Sequence, residues 1–504
     1  MKKIYTFMLA AFAAMTAWAT DYNEPIVITV NGVSAEQTGT VSVVQNGENY
    51  DLTMKNFMLQ STDGPMGVGN VSMTNIKPVI VGETIILNSR DSVLITDGDD
   101  ENVPFWMGPN LGKIPVNMRG KIEGGHLRCY IDIDMQATLQ QVIQVAIGKG
   151  YQMPNQSFEN WHTSKGTIVE PNGWHSFESG TGSLIESAGN HIAISEDAHS
   201  GEASARIFAT EMNFIFFKVT ANGTMTTGRM NAASASAADV SNHAYIDLSS
   251  TDVDGNGDPF YTPLYSRPDS IAVWVKYKQV KAIADHPYAT MSAVIISGDG
   301  RYQDPEDKAY TNVVAKAKNN TIADTNGEWV RVSVPFTYTE NTEDPKAILV
   351  TISTNADAGQ GNGNDEVLVD DIALIYNAKL TKLELFGENV PSFDANVKEY
   401  SIDAGDKELT LNDIVAEADG VSALVTKSIE ETETGYKATV SVYGGDMETA
   451  TDYVVNVKSS VPAVIENLPV APVKNNAIFN LQGQQVKKAV KGLYIINGKK
   501  VVLK

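Results

Sequence analysis

The sequence predicts an all-β protein of several domains, each built from short antiparallel strands closed into a barrel or stacked as a sandwich. Three observations carry this. Apolar and polar residues alternate after residue 25 in runs such as YDLTMKNFML, DSIAVWVKYK and YKATVSVYGG, and a period of two turns one face of a strand inward. The 40 glycines and 19 prolines recur between such runs, where turns need them. The chain has 504 residues, more than one hydrophobic core can organise. Only ATLQQVIQVAIG, residues 137–148, reads as a helix.

The first element is MKKIYTFMLAAFAAMTAWAT. Lys2 and Lys3 precede an apolar run from Ile4 to Met15, and Ala17-Trp18-Ala19 supplies a small-residue cleavage triplet. This is the pattern of a signal peptide, residues 1–19, and the apolar run is too short to span a bilayer. The chain is therefore expected to be exported, to the cell surface, the outer membrane or the medium, with no transmembrane segment in its mature form. Its one cysteine, Cys129, cannot form an intramolecular disulfide, so cores must supply the stability. Acidic residues outnumber basic ones 61 to 38, a formal charge of −23. Such a field repels nucleic acid and anionic membranes.

Residues 25–150 give IVITVNGV, TVSVVQNGENYDLTMKNFML, GVGNVSMTNI and further alternating runs, with Asn46-Gly47 as the hairpin signal. The arrangement resembles the calycin-like (lipocalin-like) β-barrel domain of exported proteins from glycan-degrading Gram-negative bacteria. A barrel of about eight strands holds one small ligand or is filled by its own side chains, and both readings stay open. Residues 155–377 run from NQSFENWHT through GDPFYTPLYSRPDSIAVWVKYK to VLVDDIALIY. Strand, polar loop and strand repeat without a long helix, as in a jelly roll. These stretches resemble the family called the putative carbohydrate metabolism domain, whose members are galactose-binding-like sandwiches.

Residues 378–460 read as about seven short strands and resemble a cadherin-like, immunoglobulin-like sandwich, with Pro391, Phe393, Asp394 and Tyr400 in the matching places. A proline-containing linker, 461–475, leads to 476–504. There Asn480, Gly483, Val486, Gly492, Tyr494, Gly498 and Lys500 resemble the type A C-terminal sorting domain of type IX secretion. That resemblance implies a β-hairpin tail and the secretion and sorting machinery as a partner.

The chemistry is sparse. DVDGNGD, 252–258, places Asp252, Asp254 and Asn256 at the first, third and fifth positions of a calcium loop and Gly257 at the sixth. The twelfth position, where such a loop needs a bidentate carboxylate, is Pro263. The stretch is thus an open metal loop or a solvated turn. By resemblance to jelly-roll carbohydrate-binding modules, Glu159 near the first strand and Asp371 near the last are the expected ligands of a structural calcium ion.

Sugar rings pack on flat aromatic surfaces while polar groups bond their hydroxyls. Trp161 and Trp174, with His175 beside the second, sit at strand–loop junctions and are the expected ligand-binding residues. No catalytic motif stands out: there is no Gly-x-Ser-x-Gly elbow and no His-Glu-x-x-His pair. The reading is a secreted or cell-surface carbohydrate-binding protein. Its alternatives are a glycoside hydrolase using carboxylates of the central sandwich, or a structural, adhesive surface protein.

Overall fold

The computed structural model describes residues 19–59, 64–213 and 216–460, together with four short strands beyond them. The signal peptide up to residue 18 and the linker 461–475 lie outside the described residues, as do Asn480, Gly483 and Gly498. Nearly all the described elements are strands, as the alternation predicts. Among the described residues no helix is long and apolar enough to cross a membrane.

The chain divides into two compact units. One comprises residues 1–398, 414–427 and 440–453, and the other 399–413, 428–439 and 454–504. In the first unit, nine strands form a single antiparallel sheet. They are β1 (Ala19–Val30), β2 (Val33–Asn46), β3 (Asn49–Leu59), β4 (Met66–Ile76), β5 (Pro78–Val81), β6 (Thr84–Leu94), β7 (Lys113–Glu123), β8 (His126–Met135) and β9 (Gln141–Ile147). Their order is β4-β3-β2-β1-β9-β8-β7-β6-β5. The sheet closes on itself where Asn70 of β4 bridges Thr96, just past β6, through N–H···O bonds of 2.9 and 3.2 Å. The interior is packed with Ile26, Val41, Leu87, Met118, Leu127 and Ile147. The space left between Val41, Leu52, Met118 and Cys129 is about 20 Å³, room for about one water molecule. The barrel is therefore filled. Cys129 is buried there, and burial pushes its thiol up to about 12, so it is a packing residue and a poor nucleophile.

The expected helix is a correction. Only Gln136–Leu139 makes a helical turn, ended by Gln140 in the left-handed region (φ 56°). The rest is β9, which pairs with β8 and β1 at once. Its β-branched residues and the alternate burial of Val145 and Ile147 suit two-sided strand pairing better than a helix.

The sandwich follows. One sheet orders Ile192–Ser195, Ser204–Phe208, Glu366–Ile375, Ser270–Lys278 and Val330–Pro335. The other orders Thr224–Thr226, Pro345–Ser353, Ala289–Ser297, Val313–Ile322 and Thr337–Tyr338. Val273, Val275, Val367 and Val369 of the first meet Met291, Ala293, Val350 and Ile352 of the second in one core.

The chain then returns to the barrel. Ile86 and Tyr130 pack on Tyr443 and Met447. The buried Arg128 donates from Nε to the Asp446 carbonyl at 2.8 Å, and Arg119 to that of Met447 at 2.9 Å. Leu380–Leu385 pairs with Glu388–Asn389 and Ile414–Ala418 in this same unit. In the second unit Glu399–Asp403 runs parallel to residues 454–458. The strands Ile478–Phe479, Gln485–Val486, Gly492–Ile496 and Lys499–Leu503 make a four-stranded sheet rather than a single hairpin.

Candidate functional site

The outward face of the second sandwich sheet changes character along its length. On Ala289–Ser297 the outward residues are Thr290, Ser292, Val294 and Ile296; on Pro345–Ser353 they are Ala347, Leu349, Thr351 and Ser353. The register pairs Thr290 with Ser353, Ser292 with Thr351, Val294 with Leu349 and Ile296 with Ala347. The apolar end is covered by Arg229–Asn231, His243–Asp247 and Arg301–Asp304, which bury Met230, Ile246 and Tyr302 against it. The hydroxyl end is left open.

Over that open end lies a groove of about 360 Å³. Thr224, Thr290, Ser292, Thr351 and Ser353 supply hydroxyls; Asn222, Asn320 and Asn355 supply amides; Asp304 and Lys318 supply charge. Phe177, Leu184, Met212 and Met230 give it apolar wall. Ala232, Ala235, Ala237 and Ala238 line it as well, with short side chains. Asn242 holds that loop: its Oδ1 accepts from the Ala233 and Ser234 amides at 2.9 and 3.0 Å.

The polar groups are pre-set by one another. Ser292 donates to Asp304 Oδ2 at 2.7 Å, Thr290 to Asn320 Oδ1 at 2.7 Å, and Thr224 to Ser353 at 3.2 Å. At the rim, Arg301 lies 3.0 Å from His243 Nε2 while His243 Nδ1 lies 2.9 Å from the Val240 carbonyl. Burial, reinforced by the Arg301 charge, holds the His243 imidazole below its ordinary value, so it serves as a neutral acceptor for the guanidinium.

None of the expected ligand-binding residues lines this groove. Trp174 is fully buried, its indole N–H donating to the Pro154 carbonyl at 3.0 Å. It is a core residue and has no face to offer a sugar. Trp161 is half-buried against the same core and donates to the Phe158 carbonyl. His175 is fully buried too.

The DVDGNGD stretch does not gather its side chains around one point. Asp252 turns to Arg229 at 2.7 Å, and Asn256 donates to Asp258 at 2.9 Å. Asp254 Oδ1 accepts the amides of Asn256 and Asp258, both at 2.8 Å, capping its own loop. Its Oδ2 stands 3.3 Å from His162 Nε2 and 3.3 Å from His175 Nε2. These three buried atoms face one another outside good hydrogen-bond geometry. His162 Nδ1 is held by Asn172 Oδ1 at 3.1 Å, and His175 stacks on Phe260 with centroids 4.6 Å apart. Burial works to raise the Asp254 carboxyl, but the His175 contact, the Asp258 amide and both imidazoles outweigh it and hold it low. The stretch is thus a turn whose central carboxylate locks two distant segments.

Glu159 and Asp371 both grip the same loop. Glu159 Oε1 accepts from the amides of Glu202 and Ala203 at 2.9 and 3.2 Å. Asp371, at φ 44°, accepts from the Ser200 hydroxyl at 2.7 Å and lies 2.6 Å from His199 Nδ1. Among the described residues no three His, Cys, Asp or Glu side chains are grouped to hold a metal ion.

Sequence reasoning missed the groove because it looked for aromatics. The signal was present in ATMSAVIIS and PKAILVTIS, whose outward positions run from hydroxyl to aliphatic within one strand.

Residues 18–147 match the family model of the calycin-like beta-barrel domain. No curated protein sequence matches the chain. Among solved structures, a putative glycoside hydrolase from Bacteroides thetaiotaomicron is similar at 11% identity, with 70% of this chain and 84% of that one covered and a TM-score of 0.32. A structure from work on carbohydrate-binding modules of the beta-sandwich superfamily is similar at 10% identity, with 71% and 97% covered and a TM-score of 0.22.

Proposed function

We propose that this is an exported carbohydrate-binding protein and that the groove over Thr290, Ser292, Thr351 and Ser353 is its binding site. The observation that carries the reading is the groove itself, about 360 Å³ with hydroxyl and amide side chains on its floor and apolar wall beside them. Sugar recognition uses that combination: fixed polar groups for the hydroxyls and apolar surface for the C–H faces. A net charge of −23 favours a neutral glycan over an acidic one. Asp239 and Asp304 both line the groove, so they are the carboxylates that the alternative, a glycoside hydrolase, would use. The sorting tail is part of the proposal as an address.

Structural calcium is a further part. Glu159, Ser200 and Asp371 offer hard oxygen donors around the loop 199–203, chemistry that fits a calcium ion better than a softer metal.

The test is retention of the mature full-length chain on a panel of neutral plant, mucin and microbial polysaccharides, with products followed alongside binding. Ala238→Trp, at an exposed position among the lining alanines, should abolish retention while leaving the melting temperature unchanged. Retention that survives this block would remove the groove from the proposal, and released oligosaccharide would favour the hydrolase. Silence on every glycan would favour a structural or adhesive surface protein.

A further inference from the structure

Strand register sets the polar floor of the groove out as a grid. Across the second sandwich sheet Thr224 faces Ser353, and Ser353 faces Thr290. Asn320, on Val313–Ile322, completes that row by accepting from Thr290 at 2.7 Å. Two residues further along the strands, Thr351 faces Ser292 and Ser292 faces Lys318, which makes a second row. Both rows line the groove. The two directions of the grid differ in length. Along a strand the polar run covers two positions, about 7 Å apart, and then gives way to Val294 and Leu349, which the three-stranded sheet covers. Across the sheet the first row crosses four strands, about 14 Å from end to end. The floor is therefore about twice as long across the strands as along them.

We propose that the groove binds a stretch of an extended, equatorially 1,4-linked neutral glycan, of the β-glucan, xylan or mannan kind, laid across the strands. The inference rests on the glycan-binding reading and names its ligand class. Each pyranose ring of such a chain advances by close to one strand spacing, so successive rings meet successive strands. The chain is a flat ribbon with hydroxyls along both edges, and the two polar rows lie under those edges. A wound chain with axial linkages, of the amylose kind, keeps neither the straight course nor the repeat. A single ring would reach across one gap between strands and leave most of the row unused. The floor is also set before a ligand arrives. Thr224 donates to Ser353 at 3.2 Å and Ser292 to Asp304 at 2.7 Å, so the sugar meets fixed groups and less rotamer freedom is lost on binding.

The test is calorimetry on the full mature chain with neutral oligosaccharides of increasing length. Cello-, xylo- and manno-oligosaccharides form the extended series, and malto-oligosaccharides the wound one. In at least one extended series the affinity should climb with each ring up to about four, one per strand of the row, and then level off. The malto series should stay about tenfold weaker or more at equal length. Asn320→Ala and Thr351→Val, about 10 Å apart across the sheet, should each weaken the longest extended ligand about fivefold. The wild-type length series carries the test on its own if either variant fails to fold. A single sugar bound as tightly as its own longest oligomer, at a site that Ala238→Trp blocks, would overturn the crosswise chain and leave the groove standing. Malto-oligosaccharides bound as tightly as the extended ones would do the same. A wild-type chain that binds no glycan at all would overturn the groove reading as well.

Discussion

Removing the Asp254 carboxylate should cost the sandwich more than any other single change in the loop 252–258. Asp254→Ala takes away the acceptor of two backbone amides at 2.8 Å, each worth about 1 kcal/mol. It also leaves His162 and His175, 8% and 0% exposed at their side chains, without the anion they face. Leaving buried polar groups without a partner typically costs a further ~1–3 kcal/mol. For a domain of this size each kcal/mol lowers the melting temperature by about 2–4 °C, so a fall on the order of 10 °C is expected. Asp254→Asn keeps the shape and one acceptor and should cost less than half as much.

The pH dependence gives a second handle. The Asp254 carboxyl is held below its ordinary value, so its contribution is fully present above the unfolded-state value of about 3.9 and is lost as pH falls through the folded one. The gap between wild type and Asp254→Asn should therefore close below about pH 4. Thermal and urea unfolding followed by tryptophan fluorescence from Trp161 and Trp174 would measure both effects. An Asp254→Ala protein within about 0.5 kcal/mol of wild type at neutral pH, the range of an ordinary surface change, would refute the lock.

Two further outcomes are expected. Burial, with the Glu448 charge adding to it, pushes Asp446 up to about 6. A raised carboxyl gives stability that is present below the unfolded value of about 3.9 and is lost as pH climbs through 6, some 3 kcal/mol in all. Asp446→Asn should flatten the stability profile between pH 4 and 7, and an unchanged slope in urea titrations would count against it. Calcium at millimolar concentration should raise the melting temperature by several degrees, reversed by EDTA. Glu159→Gln should lose the response, and a wild-type melting curve indifferent to EDTA would remove calcium from the proposal.

The strands were legible in the sequence because alternation is a local property. YDLTMKNFML and DSIAVWVKYK needed no partner to reveal which of their residues point inward. The segment 141–147 misled because its pattern, VIQVAI, suits a short helix as well as a strand, and only pairing on both sides decides between them. Trp174 looked available because it follows a polar loop, yet it is the Pro154 carbonyl, twenty residues back, that receives its N–H. The acidic loop was readable as a turn. Its partners were not, since His162 and His175 lie some eighty to ninety positions upstream with nothing in their local sequence pointing to Asp254. The groove was half legible: the hydroxyl row can be seen in each strand, but the open roof above it depends on where a separate three-stranded sheet stops.

The bond from Arg128 to Asp446 spans 318 positions of the chain. The barrel's outer face at Ile86, Arg119, Arg128 and Tyr130 is thus completed by residues made long after the barrel itself. During synthesis that face must wait for them with a guanidinium and apolar surface uncovered. Such distant closure slows folding, because the loop entropy is spent before the contact forms. Cutting the protein at its apparent module boundaries has the same effect permanently. A fragment ending before residue 440 would bare the barrel patch, and chains shortened there should associate through it. The barrel, the sandwich and residues 440–453 fall in one compact unit, so binding is measured most cleanly on a chain that keeps them together.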